Sequence, residues 1–108
     1  MELTQKACVP CQGGVPPLTS AEAQGYLDQV PGWQLSETED RIRRRFKFGD
    51  FQAALDFVNK VGAVAEAEGH HPDITVTWGK ATVKIWTHSI GGLSENDFIL
   101  AARLDTLA

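Results

Sequence analysis

Between Ile74 and His88 the chain alternates apolar and polar residues on both sides of Gly79-Lys80. An antiparallel hairpin buries such a segment on one face, because successive side chains of a strand point to opposite sides. Gly79-Lys80 is an acceptable two-residue loop with glycine first. It predicts Trp78 opposite Ala81, Val76 opposite Val83 and Ile74 opposite Ile85, all on the core face. Thr77–Thr82 and Thr75–Lys84 then share the other face. Trp86 is the one apolar residue this register leaves unexplained. Carried outward, the register sets Asp73 against Trp86 and His71 against His88, although Pro72 lacks the donor to hold a ladder there.

The rest of the chain supplies what such a hairpin needs. Ile42, Arg44, Phe46 and Phe48 share one face of a second alternating run, with Arg43, Arg45 and Lys47 on the other. A solvated sheet surface is the plain reading of that basic face. Trp33 to Thr38 reads as a further strand. Thr19-Ser20-Ala21-Glu22 offers a capping box for a short helix that Pro31-Gly32 stops. Asp50 caps a longer helix over about 51–68, with Phe51, Leu55, Val58, Gly62 and Ala65 as its core stripe and Gly69 as its left-handed exit. Ser94 and Asp97 begin the last helix, with Leu93 and Phe98 as its staple. The fold class that follows is α+β, a four-stranded antiparallel sheet with three helices on one face, in the order α-β-β-α-β-β-α.

A length of 108 residues suits one domain. We place it at 18–108, preceded by a flexible arm at 1–17. The net charge of -4 argues against nucleic acid as a partner. No apolar run is long enough to span a membrane. The first residues lack the apolar stretch of a secretory signal, so a cytoplasmic location is expected. The arm holds both cysteines, Cys8 and Cys11. Two ligands fall short of the four of a closed zinc site, and a Pro/Gly-rich arm is not the strand-to-helix setting of a redox pair. A reduced arm is the simplest reading, with metal shared between subunits as its rival.

His70, His71 and His88 are the only histidines, and the predicted topology brings them to one region. Adjacent His70 and His71 in an extended segment point oppositely, and no His-Glu-x-x-His pattern exists, which disfavours a metal site. Acid–base chemistry fits better, because imidazole titrates near neutrality and can donate or accept a proton. No glycine-rich phosphate loop is present.

Glu66, three residues, His70-His71-Pro72, five residues, Trp78, nine residues, His88, eight residues and Asp97 together resemble the signature of the pterin-4a-carbinolamine dehydratase family. Leu18-Thr19-Ser20-Ala21-Glu22, Pro31-Gly32-Trp33, Phe46-Lys47-Phe48-Gly49-Asp50-Phe51 and Gly92-Leu93-Ser94-Glu95-Asn96-Asp97 also look like family segments. The likeness covers about residues 18–107 and leaves the cysteine arm outside.

The resemblance implies an activity, the dehydration of a 4a-hydroxytetrahydropterin to quinonoid dihydropterin and water, with neither a metal nor an organic cofactor. It implies catalytic roles for His70, His71 and His88. Glu66, Pro72, Trp33, Thr87 and Asp97 become the substrate-binding candidates. Trp33 and Trp78 offer flat apolar surface to a ring or serve as core, and core is the better reading for Trp78. Glu66 binds pterin or only ends a helix; Asp97 does likewise or only caps one. A homodimer or homotetramer and an aromatic amino-acid hydroxylase in the same pathway are implied as partners. The alternative is a non-catalytic scaffold on the same fold, of the transcription-cofactor or Rubisco-assembly type.

Overall fold

Local capping signals fix the helices of this computed structural model, which describes residues 2–6, 8 and 16–108. Helix α1 (Ser20–Leu27) starts at a closed box: Thr19 Oγ1 accepts from the Glu22 amide at 3.2 Å, and Glu22 Oε1 accepts from the Thr19 amide at 2.9 Å. Helix α2 (Phe51–Glu68) is capped by Asp50, whose Oδ1 accepts from the Ala53 amide at 2.8 Å, and it exits through Gly69 at φ 65°. Helix α3 (Glu95–Asp105) opens with the Ser94 amide donating to Asp97 Oδ2 at 2.8 Å. No helix among the described residues is long and apolar enough to cross a membrane.

Strands β1 (Gln34–Leu35), β2 (Ile42–Lys47), β3 (Asp73–Thr77) and β4 (Lys80–Ile85) form one antiparallel sheet in the order β1-β2-β4-β3. Ile42, Phe46, Ala81, Val83 and Ile85 point to the buried face, where the helices lie. Arg43, Arg45, Lys47, Lys80 and Lys84 stand exposed on the other. The fold class is as expected, and the basic side chains do lie on the solvated surface.

The hairpin register is not. Thr75 pairs with Thr82 rather than Lys84, Val76 with Ala81, and Ile74 with Val83. The two-residue loop is therefore Trp78-Gly79, with Gly79 at φ 72° and its carbonyl accepting from the Phe48 amide at 2.8 Å. Each partner moves by two residues, so both faces keep their membership. Trp78, expected in the core opposite Ala81, lies at the loop tip and is 70% exposed. His71 does not face His88 across a ladder: pairing ends at Asp73–Lys84, and His88 begins a 3₁₀ turn, His88–Ile90.

The stripe of α2 is also turned from expectation. Ala54, Phe57, Val61 and Ala65 are buried, Leu55 and Val58 border them, and Phe51 and Gly62 are exposed. Phe57 takes the central place, with ring centroids 4.5 Å from Phe46 and 5.1 Å from Phe48. Apolar residues cover more than half of this helix, so its period alone selects no single stripe.

Before the domain, Leu3–Gln5 makes one 3₁₀ turn whose Leu3 is buried against the core. This part of the expected flexible arm is docked. Cys11 and the Cys8–Cys11 pairing lie outside the described residues.

Candidate active site

The exit of α2 decides where the first two histidines point. Gly69 in the left-handed region lets the His70 amide return to the Ala65 carbonyl at 3.1 Å. The chain then leaves extended, and neighbouring side chains diverge. His70 turns inward, with a side chain only 13% exposed, while His71 turns out at 62%. His70 Nε2 lies 2.6 Å from Asp97 Oδ1, and His71 Nε2 lies 2.9 Å from Glu66 Oε2.

The third histidine arrives from the other side. Past β4, Thr87 and Gly92 form an isolated bridge, with the Thr87 amide donating to the Gly92 carbonyl at 2.8 Å. The loop between them turns at Gly91, φ 62°, and puts exposed His88 beside Trp86, ring centroids 4.3 Å apart. The Arg41 guanidinium sits 4.5 Å from the Trp86 ring centroid, a cation–π contact that steadies the indole.

Asp97 joins the two sides. Its carboxylate is fully buried, which is costly for a charge unless its oxygens are well supplied with donors. Oδ2 accepts from the Ser94 amide at 2.8 Å and from Thr87 Oγ1 at 2.9 Å, at the positive end of α3. Oδ1 is left for His70. An ionised carboxylate only accepts, so the facing Nε2 of His70 carries a proton and Nδ1 is the nitrogen left to accept one.

Around these groups lies a pocket of about 410 Å³, lined by Cys8, Glu68, His70, His71, Trp86, Thr87, His88 and Asn96 among others. That volume suits a small-molecule ligand. The flat Trp86 ring offers apolar surface, and the histidines supply proton donors and acceptors. Among the described residues no three His, Cys, Asp or Glu side chains are grouped to hold a metal ion.

The structure thus brings all three expected catalytic histidines and Thr87 to one pocket. Asp97 lies behind it, both capping α3 and holding His70. Glu66 and Pro72 are outside the lining, Glu66 at its edge through His71. Trp33 is not brought to the site. It is 2% exposed in the core, where Nε1 donates to Asp105 Oδ1 at 2.9 Å. Sequence reasoning missed Trp86, Glu68, Asn96 and Cys8 as lining residues. For Trp86 a signal existed, as the one apolar residue the hairpin register did not explain.

The model of the pterin 4 alpha carbinolamine dehydratase family matches residues 16–107. The chain belongs to that family. A relative from Methylococcus capsulatus, named provisionally as a pterin-4-alpha-carbinolamine dehydratase, is 55% identical over 98% of this chain and 93% of its own length. One from Halorhodospira halophila with the same provisional name is 58% identical over 99% and 98%. Among solved structures, a transcriptional coactivator/pterin dehydratase from Brucella melitensis superposes with a TM-score of 0.81 at 33% identity, over 85% of this chain and 98% of that one. A pterin dehydratase-like protein identified as a RuBisCO assembly factor gives a TM-score of 0.63 at 26% identity, over 71% and 89%. The solved structures that resemble this chain are thus described in different roles.

Proposed function

We propose that this chain dehydrates a 4a-hydroxytetrahydropterin to the quinonoid dihydropterin. In that step the bond from carbon 4a to its hydroxyl oxygen breaks as the oxygen takes a proton and leaves as water. The proton on N5 passes to a base, and the N5 electron pair closes the new double bond to carbon 4a. One proton is given and one is taken, so acid and base are restored together through solvent.

The observation that carries this reading is three imidazoles around one pocket, one of them backed by a buried carboxylate. Asp97 stabilises the imidazolium that forms when His70 accepts a proton, so His70 is the base for N5. The acid comes from the open side, from His71 and His88, which reach solvent and are reprotonated from it. Trp86 offers a flat surface for the bicyclic ring. Assembly as a homodimer or homotetramer belongs to the same proposal, since Phe51 at 44% and Trp78 at 70% exposure leave apolar surface for a second copy.

A scaffold role is the second reading, favoured by the likeness to the RuBisCO assembly factor. Scaffolding alone gives no use for a histidine held on a buried aspartate. The deciding experiment adds purified protein to freshly generated 4a-hydroxytetrahydropterin and follows dehydration by absorbance. A rate no faster than the spontaneous one would overturn the enzymatic reading.

A further inference from the structure

The family match begins at residue 16, yet Cys8 lines the same pocket as the three histidines. Its place there is built by contacts from both helices that frame the site. Leu3 is 5% exposed within the core cluster. Lys6 Nζ pairs with Glu95 Oε2 at 2.8 Å, and Arg103 donates to the Lys6 carbonyl from Nε at 3.1 Å and Nη2 at 2.6 Å. Arg103 Nε also lies 3.1 Å from Glu68 Oε1, and Glu68 Oε2 accepts from the Cys8 amide at 3.1 Å. The thiol donates to the Asn96 carbonyl at 3.6 Å. Two backbone groups of the segment are thus held by charged partners on α2 and α3, in bonds stronger than neutral ones.

We propose that Cys8 is a wall of the pterin pocket and touches the bound ring, with Glu68 and Arg103 positioning it. The inference rests on the dehydratase reading and adds a substrate-contact residue outside the family's matched region. Sulfur is polarisable and packs well against aromatic rings. Cys8 lines the same pocket as Trp86 and His88, so a planar ring that fills the pocket meets Cys8. Its chemistry in this role is contact only; no bond to sulfur forms or breaks.

The test uses the full chain and follows alkylation of Cys8 by iodoacetamide with site-resolved peptide mass spectrometry. Dihydrobiopterin at ten times its Kd should slow Cys8 modification about tenfold, the mass-action limit for a site covered by ligand. Cys8→Ala should raise KM by about twofold to tenfold, the range of one sulfur–ring contact, with kcat nearly unchanged. Arg103→Leu should raise KM likewise and weaken the protection; a melting curve shows whether that variant folds. If it does not, the Cys8→Ala kinetics and the protection assay still decide. Dihydrobiopterin binding, seen by fluorescence, with no slowing of Cys8 alkylation overturns the wall and leaves the dehydratase intact. A chain that neither binds nor dehydrates pterin overturns both.

Discussion

His70 Nε2 stands 2.6 Å from Oδ1 of Asp97, a carboxylate with no exposed surface that also ties off the start of α3. One residue therefore both holds a helix end and sets the proton-bearing nitrogen of a candidate catalytic base. Asp97→Asn separates these jobs. The amide oxygen can still accept from the Ser94 amide and Thr87, which leaves the amide NH2 facing His70. The ring must then accept at Nε2 and carry its proton on Nδ1, the nitrogen the proposed reaction needs free. Turnover should fall at least about a hundredfold, the scale of a lost acid–base group. Stability should fall by only about 1 kcal/mol, the scale of a weakened cap. Melting temperature and turnover on one preparation check this, and retained turnover would refute the role given to Asp97.

His88 tests the open side of the pocket. Its side chain makes no hydrogen bond to another described residue and lies tilted against Trp86 at the surface, at an interplanar angle of 48°. His88→Ala should leave the melting temperature almost unchanged, because exposed substitutions usually cost within about 0.5 kcal/mol. Dehydration should slow about tenfold to a hundredfold or more. Full activity in both His88→Ala and His70→Ala would remove the catalytic reading.

The helix ends were legible in the sequence because caps are local: Thr19 with Glu22, Asp50 with Gly69, and Ser94 with Asp97 each declare themselves within a turn or at one helix's two ends. The faces of the sheet were legible as well, since alternation has a period of two. Register was not, because sliding the hairpin partner by two residues preserves every face. A glycine with positive φ suits the first loop position of one alignment as well as the second of the other, so it is the pairing of Thr77 with Lys80 and the exposure of Trp78 that separate them. The histidines announced the site, but Cys8, Glu68 and Asn96 enter it through contacts spanning 60 and 88 residues of chain. Such docking leaves no periodic trace.

The docked part of the arm at Leu3 to Lys6 should respond to pH through Lys6, Glu95 and Tyr26. The hydrogen bond to Glu95 holds the Lys6 pKa above its ordinary value, and the bond from Lys6 holds Glu95 below its own. Burial, then the bond to Glu95, raises Tyr26. Lysine's contribution is complete below its unfolded pKa and is lost as pH rises through the folded one. For Glu95 it is complete above the unfolded pKa and lost as pH falls through the folded one. Raised Tyr26 adds to the loss on the alkaline side. The contact is therefore strongest between roughly pH 5 and 10. The melting-temperature gap between wild type and Lys6→Met should be small, close as pH falls below the ordinary carboxylate range, and shrink in high salt. A gap that stays constant with pH would show that the pair does not hold the arm.

The hairpin loop gives the sharpest test of the fold. Gly79 has φ 72°, and a Cβ added there would lie 3.2 Å from the Phe48 carbonyl oxygen, whose own amide is bonded to the Gly79 carbonyl. Gly79→Ala thus meets a left-handed backbone and a tight contact together, and should cost about 1–3 kcal/mol. Trp78, at 70% exposure, packs little, so Trp78→Ser should cost within about 0.5 kcal/mol despite removing the largest side chain. Had the loop been Gly79-Lys80, Trp78 would pair with Ala81 on the core face, and its truncation would cost about 3–5 kcal/mol. Urea unfolding of the two variants separates the registers, because they rank in opposite order. A Trp78→Ser loss exceeding that of Gly79→Ala would return the tryptophan to the core and shift every pair of β3 with β4 by two residues.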